Sequence, residues 1–258
     1  MKTGVTILAS GSNGNCIAIQ YHGNTILLDC GISLKMLRTR MAQECVDPDS
    51  VRAILVTHKH GDHMKGVGAA AGFLEVPVFS PYEVAALLQN DAKHPVTATV
   101  LDAGTSFELS GFQITPFPVE HDVETVGYTL TTPEAKIGIA TDIGRPTQTA
   151  EFYLRDCQTL VLESNYDVNM LADSPRSWEL KTRICNGKGH LSNRQNSDFL
   201  PRLLTKNTRN LLLAHISHDC NKYELALGAA RKTLHALNRD DIFVDYGRRE
   251  ESLPTVWC

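Results

Sequence analysis

The chain has 258 residues, of which 42% are hydrophobic and 21% are charged, a composition typical of globular proteins. Its formal net charge of −4 excludes a protein that attracts nucleic acid through overall positive charge, and no apolar run is long enough to span a membrane. The seven cysteines contain no Cys-x-x-Cys pair, which disfavours both a disulfide framework and a zinc ribbon. We therefore expect one domain over residues 1–258, a cytoplasmic location and no membrane partner.

The first third of the chain predicts a β-meander that passes into alternating strands and helices. Strands at residues 5–9, 16–21 and 25–29 are separated by polar turns, and the third is apolar on both faces, as in a strand buried between layers. Strands at 53–57 and 76–79 then alternate with helices at 33–42, 65–74 and 82–89. Such alternation predicts helices packed over a sheet.

The rest of the chain predicts a second sheet followed by further helices. Short turns separate strands at residues 97–101, 107–109, 112–117, 126–132 and 136–141, which indicates a mainly antiparallel sheet. Further strands are expected at 159–163, 210–214 and, at a sheet edge, 242–246, with helices at 178–185, 193–205 and 223–237. Two blocks of strands with helices between and after them fit an α+β fold, a four-layer αββα sandwich.

The loop at residues 10–15, between the first two strands, is small and polar. Its many backbone N–H groups can contact an anionic atom of a substrate, so Ser10, Ser12 and Asn13 are candidate substrate-binding residues. A tight turn is the ordinary explanation of such a loop, although this one is longer than a minimal hairpin needs.

The strand at residues 53–57 ends in a turn that holds His58, His60, Asp62 and His63. Imidazole and carboxylate are the natural ligands of zinc and similar divalent ions, and residues two apart on an extended segment point the same way. Four potential ligands within six positions are more than one open catalytic site takes from a single turn, so two neighbouring ions are predicted. A loop that is histidine-rich by chance is the alternative, which the residue types and spacing disfavour.

Three later residues, His121, Asp142 and His215, each follow a predicted strand. Strand ends are where a sheet scaffold commonly presents chemistry. Taken alone, each is better explained as a loop or capping residue, but together they supply the ligands that the first cluster still needs. His218 follows three residues after His215 and ranks below it as a ligand.

The motif His58-x-His60-x-Asp62-His63 resembles the signature of the metallo-β-lactamase-fold hydrolases, and the later residues follow in the family's order through nearly the whole chain. The resemblance implies two divalent ions, Zn²⁺ or Mn²⁺ with Fe as a further option, and no organic cofactor. It implies a hydroxide between the ions as the nucleophile, and a supporting position for Asp29 behind the loop. One ion would bind His58, His60 and His121; the other would bind Asp62, His63 and His215; Asp142 would bridge them.

The segment around Gly189-His190-Leu191-Ser192 is similar to the Gly-His-x-Ser element of the phosphodiesterase branch of that family. There the histidine contacts the scissile phosphate and can protonate the leaving oxygen, so His190, with Asp62, is a predicted catalytic residue. Asn165, Lys188 and Ser192 are candidate substrate contacts beside it. A helix N-cap at 192 or 193 explains the same residues structurally, and both explanations are compatible. The segment 176–209 carries a net charge of +6, which an anionic substrate and a solvated helical face that is basic by chance explain equally well; the presence of His190 in this segment favours the anionic substrate.

Only 20 residues separate His121 from Asp142 and only 72 separate Asp142 from His215, too few for a tRNA-gripping arm or for the inserted domain of the RNA-processing β-CASP enzymes. Residues 10–16, 162–167 and 189–193 together resemble the bacterial YycJ (WalJ)-type branch, which implies a 5′→3′ DNA exonuclease. Two alternatives stay open. One is a small-molecule hydrolase of cyclic phosphodiesters, thioesters or lactones, and the other is a non-enzymatic metal-binding module.

Overall fold

A computed structural model describes residues 2–258, and within that range the strands form two seven-stranded sheets. The first sheet contains β1 (Gly4–Ala9), β2 (Cys16–Tyr21), β3 (Asn24–Leu28), β4 (Val51–Leu55), β5 (Val78–Ser80), β6 (Thr99–Val100) and β14 (Leu253–Trp257). The second contains β7 (Phe107–Leu109), β8 (Phe112–Pro118), β9 (Val126–Thr131), β10 (Lys136–Ala140), β11 (Thr159–Glu163), β12 (Asn210–Ala214) and β13 (Phe243–Tyr246).

The helices lie between and after these strands. They are α1 (Leu34–Gln43), α2 (Gly61–Met64), α3 (Val67–Leu74), α4 (Tyr82–Gln89), α5 (Gln148–Leu154), α6 (Val168–Asp173), α7 (Trp178–Cys185), α8 (Asn193–Leu203) and α9 (Tyr223–Ala236), with a 3₁₀ turn at Pro48–Ser50. Within residues 2–258, none of them combines the length and the apolar character that crossing a membrane requires.

Each sheet has an antiparallel half and a parallel half. The strand order is β14-β1-β2-β3-β4-β5-β6 in the first sheet and β13-β12-β11-β10-β9-β8-β7 in the second. Strands β3 to β6 run parallel, as do β10 to β13, while the remaining neighbours are antiparallel. The carboxyl ends of parallel neighbours meet at one edge of a sheet, and in this fold those edges carry the candidate site.

Three apolar layers confirm the predicted αββα sandwich. The inner faces of both sheets share one core, to which β3 contributes Ile26 and Leu28. Leu27 faces the opposite way and packs in the outer core beneath α1, α3 and α4. A second outer core lies beneath α5, α8 and α9. The strand that the sequence shows as apolar on both faces is therefore buried on both faces, because each face meets a different core.

The structure corrects the predicted sheet boundaries. The strand expected at 97–101 in the second sheet is the two-residue β6, which pairs parallel with β5 in the first. The crossover through α4 returns the chain to the sheet that it left, as such connections usually do. The expected antiparallel run is confirmed only for β7 to β10, and β14, which pairs with β1, is an additional strand. Local pattern missed β14 because it contains a proline and is partly exposed.

Tyr128 on β9 joins the two sheets, because its Oη donates a 2.8 Å hydrogen bond to the carbonyl of Val56, which follows β4. Tyr128→Phe leaves that buried carbonyl without its partner, so we expect the free energy of unfolding to fall by about 1–3 kcal/mol in a denaturant titration. Tyr82→Phe is the matched control, because Tyr82 is 68% exposed and should change stability by less than about 0.5 kcal/mol. Equal effects of the two substitutions would contradict this account of Tyr128.

Candidate metal centre

The candidate site lies where the parallel strands of both sheets end. Asp29 follows β3, Asp142 follows β10 shortly after it ends, and His215 follows β12. All three have left-handed backbone conformations, with φ of 58°, 54° and 54°. Such conformations are uncommon outside glycine and persist where the surroundings enforce them. At His215 one such restraint is visible, since its backbone N–H donates to Ser10 Oγ at 2.8 Å.

Backbone hydrogen bonds hold the turn that carries Asp62 and His63 against the segment after β3 and the loop between β1 and β2. The backbone N–H of Cys30 donates to the carbonyl of His63 at 2.9 Å, and that of Asn15 donates to the carbonyl of Asp62 at 2.8 Å. Gly31 passes so close that an added Cβ would lie 1.6 Å from the Asp62 carbonyl oxygen. Only glycine allows this approach, which places α2 against the segment that follows β3.

Three histidines form the first cluster. His60 Nδ1 lies 3.0 Å from His58 Nε2 and 3.4 Å from His121 Nε2. The remaining ring nitrogens are engaged elsewhere, since His121 Nδ1 donates to the carbonyl of Gly189 at 3.0 Å and His58 Nδ1 lies 2.9 Å from Thr57 Oγ1. These contacts fix the ring orientations, so that each histidine presents one nitrogen to the same point.

Asp62, His63 and His215 form the second cluster. Asp62 Oδ2 lies 3.6 Å from His63 Nε2 and 3.2 Å from His215 Nε2. Behind the rings, His63 Nδ1 donates to Asp29 Oδ2 at 2.7 Å, and His215 Nδ1 lies 3.0 Å from Glu163 Oε1. Asp29 thus has the supporting position expected from the sequence.

Asp142 lies between the clusters. Its Oδ2 is 3.0 Å from His63 Nε2, while its Oδ1 is 3.9 Å from His121 Nε2 and 3.8 Å from His215 Nε2. The side chain is 2% exposed; Oδ2 is paired with His63, but within residues 2–258 no donor meets it in hydrogen-bond geometry. A buried carboxylate oxygen without a hydrogen bond is costly, and a bound cation would remove that cost.

The donor set fits divalent metal ions. Within each candidate ligand group the donor atoms lie within 4.8 Å of one another. Histidine nitrogens with a few carboxylate oxygens suit zinc and also manganese or iron. The groups are His58, His60 and His121; Asp62, His63 and His215; His58, His63 and Asp142; and Asp142, Glu163, His190 and His215.

Burial and the charges of neighbouring groups shift the pKa values of the site residues. Burial holds the pKa of His58 well below its ordinary value, which favours the neutral imidazole that binds metals. Burial also opposes the charged form of His63, but the carboxylates of Asp142 and Asp29 outweigh it and raise the pKa of His63 to about 10. Burial would raise the pKa of Asp142, yet His215 and His63 hold it well below its usual range. A metal ion that binds His63 must therefore displace a proton.

The structure adds Glu163, to which the sequence analysis assigned no role. This fully buried carboxylate ends β11; its Oε1 lies 2.8 Å from His190 Nδ1 and 3.0 Å from His215 Nδ1. Its Oε2 accepts backbone N–H groups from Ile143 and Leu191, both at 3.0 Å. The sequence signal was an acid closing an otherwise apolar strand, since a buried charge needs partners.

Two further polar residues beside the clusters were also missed. Asp122 Oδ1 lies 3.2 Å from His121 Nε2 and 3.4 Å from His60 Nε2, and Asn15 Nδ2 lies 3.0 Å from His63 Nε2. Asp122 directly follows His121 in the sequence, but adjacency alone did not indicate which way its carboxylate turns.

A cleft of about 350 Å³ opens over the clusters and brings together some of the predicted substrate contacts. Ser12, Asn165 and His190 line it. Burial would lower the pKa of His190, but the carboxylate of Glu163 outweighs it and raises that pKa. Asn165 also holds the site from within, because its Nδ2 donates to the carbonyl of His215 at 2.7 Å.

The other predicted substrate contacts, Ser10, Asn13, Lys188 and Ser192, do not line the cleft. Ser10 is buried with its hydroxyl on the backbone of His215. The hydroxyl of Ser192 caps α8, where Ser192 and Gln195 form a capping box, so the expected N-cap is confirmed. Both hydroxyls take part in structural hydrogen bonds, and their contact with a substrate stays a prediction.

Comparisons with known proteins agree with this architecture. Residues 24–216 match a family model described as a beta-lactamase superfamily domain. The chain is 30% identical over 224 residues to exodeoxyribonuclease YycJ of Bacillus anthracis, covering 86% of this chain and 85% of that protein. It is 29% identical over 231 residues to exodeoxyribonuclease WalJ of Streptococcus pneumoniae, covering 86% and 84%. The metallo-β-lactamase fold protein YhfI from Bacillus subtilis superposes with a TM-score of 0.74 at 14% identity, over 98% of this chain and 99% of that one, which shows a shared fold.

We expect the purified protein to hold about two divalent ions per chain, and His121→Ala to hold about one, because that substitution removes a nitrogen donor from the first cluster. Elemental analysis after dialysis measures both. His218→Ala is the matched control, since His218 is 75% exposed and contacts Asp219 outside the clusters. Equal metal content in the two variants would contradict the assignment of His121 as a metal ligand.

Proposed function

The chain belongs to the beta-lactamase superfamily and is a metal-dependent hydrolase with the metallo-β-lactamase fold, and on that basis we propose that it is a nuclease, specifically a 5′→3′ exonuclease of DNA. Relatives named exodeoxyribonuclease align over 86% of the chain, which supports this substrate class. The observation that carries the proposal is the position of His190, which lines the cleft beside the metal clusters with its Nδ1 against Glu163.

We propose the predicted ligand set as the metal site. His58, His60 and His121 would hold one ion, Asp62, His63 and His215 the other, and Asp142 would bridge them. Two divalent ions in this position, zinc or manganese with iron as the third option, would supply an activated water and neutralise charge on the phosphate. The Oδ2 of Asp142, which no donor of the described residues meets in hydrogen-bond geometry, supports a cation between the two clusters.

His190 and Asp62 would move the protons. His190 Nδ1 is engaged by Glu163 at 2.8 Å, so Nε2 is the nitrogen left for a substrate in the cleft. A proton on that nitrogen can pass to the leaving oxygen of the scissile phosphodiester. Asp62 is the more accessible carboxylate, 21% exposed against 2% for Asp142, so Asp62 is the carboxylate that would accept a proton from the attacking water.

We further propose that residues 1–258 form one domain that acts in the cytoplasm. The two sheets share an inner core and each supplies strand ends to the site, which supports a single domain. The cytoplasmic assignment rests on the odd number of cysteines in the sequence.

Cleavage of 5′-phosphorylated single- and double-stranded DNA by the protein loaded with Zn²⁺ or Mn²⁺ tests the proposal. We expect stepwise loss of nucleotides from the 5′ end, followed on sequencing gels with label at either end. Asp142→Asn is the inactive control, because it removes charge from the carboxylate between the clusters. If the metal-loaded protein cleaves cyclic phosphodiesters or thioesters and leaves DNA intact, the nuclease proposal is wrong and the small-molecule hydrolase takes its place.

His190→Ala should lower the rate of phosphodiester cleavage by about 10²–10⁴-fold, because the leaving oxygen loses its proton donor. Metal content and hydrolysis of a thioester should stay near wild-type levels, since a thiolate needs no such donor. His235→Ala on α9, 81% exposed, controls for histidine removal as such. Unchanged phosphodiester cleavage by His190→Ala would refute this role.

A further inference from the structure

Helix α7 lies beside the cleft and outside the three main cores; its one apolar anchor is Ile184, which packs against the small cluster of Tyr166, Leu171 and Cys220. Each of its residues is exposed or half-buried, yet Leu180, Arg183 and Ile184 line the cleft, as does Arg176 just before the helix. A helix that buries no side chain fully gains little from hydrophobic packing. What α7 adds to the molecule is therefore the set of side chains that it presents to the cleft.

Arg183 is held next to the first cluster by a carboxylate. Its Nε and Nη2 lie 2.9 and 2.6 Å from Asp122 Oδ2. The other oxygen of Asp122 lies 3.2 Å from His121 Nε2 and 3.4 Å from His60 Nε2. The Asp122 carboxylate thus lies between the Arg183 guanidinium and the first cluster. The side chain of Arg183 is 60% exposed.

Arg176 also lines the cleft and is paired with a carboxylate. Its Nη2 donates to Asp219 Oδ2 at 2.9 Å, and Asp219 lies four residues after His215. The Nε of Arg176 is buried and has no hydrogen-bond partner in the described part of the chain. An unsatisfied buried donor is costly, and an anionic group brought to the cleft after a small shift of the side chain would satisfy it.

These two side chains are the only lysine or arginine residues that line the cleft in residues 2–258. They are held by different carboxylates, Arg176 by Asp219 and Arg183 by Asp122. A single phosphate would contact only one of the two arginines where they are held. A nucleic-acid strand carries phosphates at successive positions and could therefore contact both.

We propose that Arg176 and Arg183 each bind one phosphate of a nucleic-acid strand, on either side of the scissile phosphate. The proposal rests on the proposed nuclease function and specifies a polymeric substrate for the same cleft. Asp219 and Asp122 hold the two arginines when no strand is bound. Exposed ion pairs contribute little to stability, and arginine forms paired hydrogen bonds with phosphate, so a phosphate can replace each carboxylate.

The salt dependence of binding tests this proposal without requiring cleavage. Fluorescence anisotropy of a labelled single-stranded phosphorothioate oligonucleotide, with the metal-loaded protein, gives Kd across a range of salt concentrations. Each phosphate contact contributes about 0.7 to the slope of log K against log salt for a single strand. Arg176→Ala and Arg183→Ala should each reduce the slope by about that amount and weaken binding roughly tenfold at low salt.

Matched variants separate a phosphate contact from a loss of structure. Arg176→Lys and Arg183→Lys keep the charge and should keep the wild-type slope. Arg194→Ala removes an exposed arginine on α8 that pairs with Asp198, outside the cleft, and should also keep it. Thermal melting of all five variants checks that each is folded.

If both alanine variants have the wild-type slope, the proposal is overturned, and a reduced slope in only one of them overturns the two-phosphate version. These results are distinguishable from a failure of the proposed function. Binding with the expected slopes but without cleavage of unmodified DNA would overturn only the nuclease assignment. Cleavage with unchanged slopes would overturn only the roles of the two arginines.

Discussion

The buried carboxylate of Asp142 is the group on which the rest of the site depends. It is 2% exposed, lies among histidines of both clusters and has an oxygen without a hydrogen bond in the described chain. Burying such a charge is costly unless positive charge compensates it. The histidines that surround Asp142 offer nitrogens at the same point, so a bound cation would compensate the charge that is now paired with His63.

The two sheets are joined at this point by polar contacts as well as by their shared core. His63 and Asp29 come from the first sheet, and Asp142, His215 and Glu163 come from the second. Glu163 orients both His190 and His215, which couples a candidate acid to a candidate ligand through one carboxylate. A substitution at Glu163 would therefore disturb metal binding and proton transfer together.

At the edge of the site, a less buried carboxylate, Asp122, also contacts two groups at once. Asp122 contacts the first cluster with one oxygen and Arg183 with the other, so this side chain links α7 to the metal centre, as does the hydrogen bond from the His190 N–H to the Ile184 carbonyl. The basic residues of the segment after residue 175 thus do not form a uniform patch on a solvated helix. Two of its arginines face the cleft, and the others lie outside it.

The sequence by itself indicated the αββα layers, the approximate positions of most strands and which histidines and aspartates are candidate ligands, because these depend on periodicities of a few residues and on side-chain chemistry. Only the tertiary structure decided that β6 belongs to the first sheet, that Glu163 supports two histidines and that Asp122 connects to α7. The physical reason is distance along the chain. The contact of Glu163 with His215 joins residues 52 apart and that of Arg183 with Asp122 joins residues 61 apart, and such contacts leave no local pattern. The same reason applies to Ser10, whose hydroxyl accepts from the backbone of His215, 205 residues away, whereas the cap formed by Ser192 is local and the sequence predicted it.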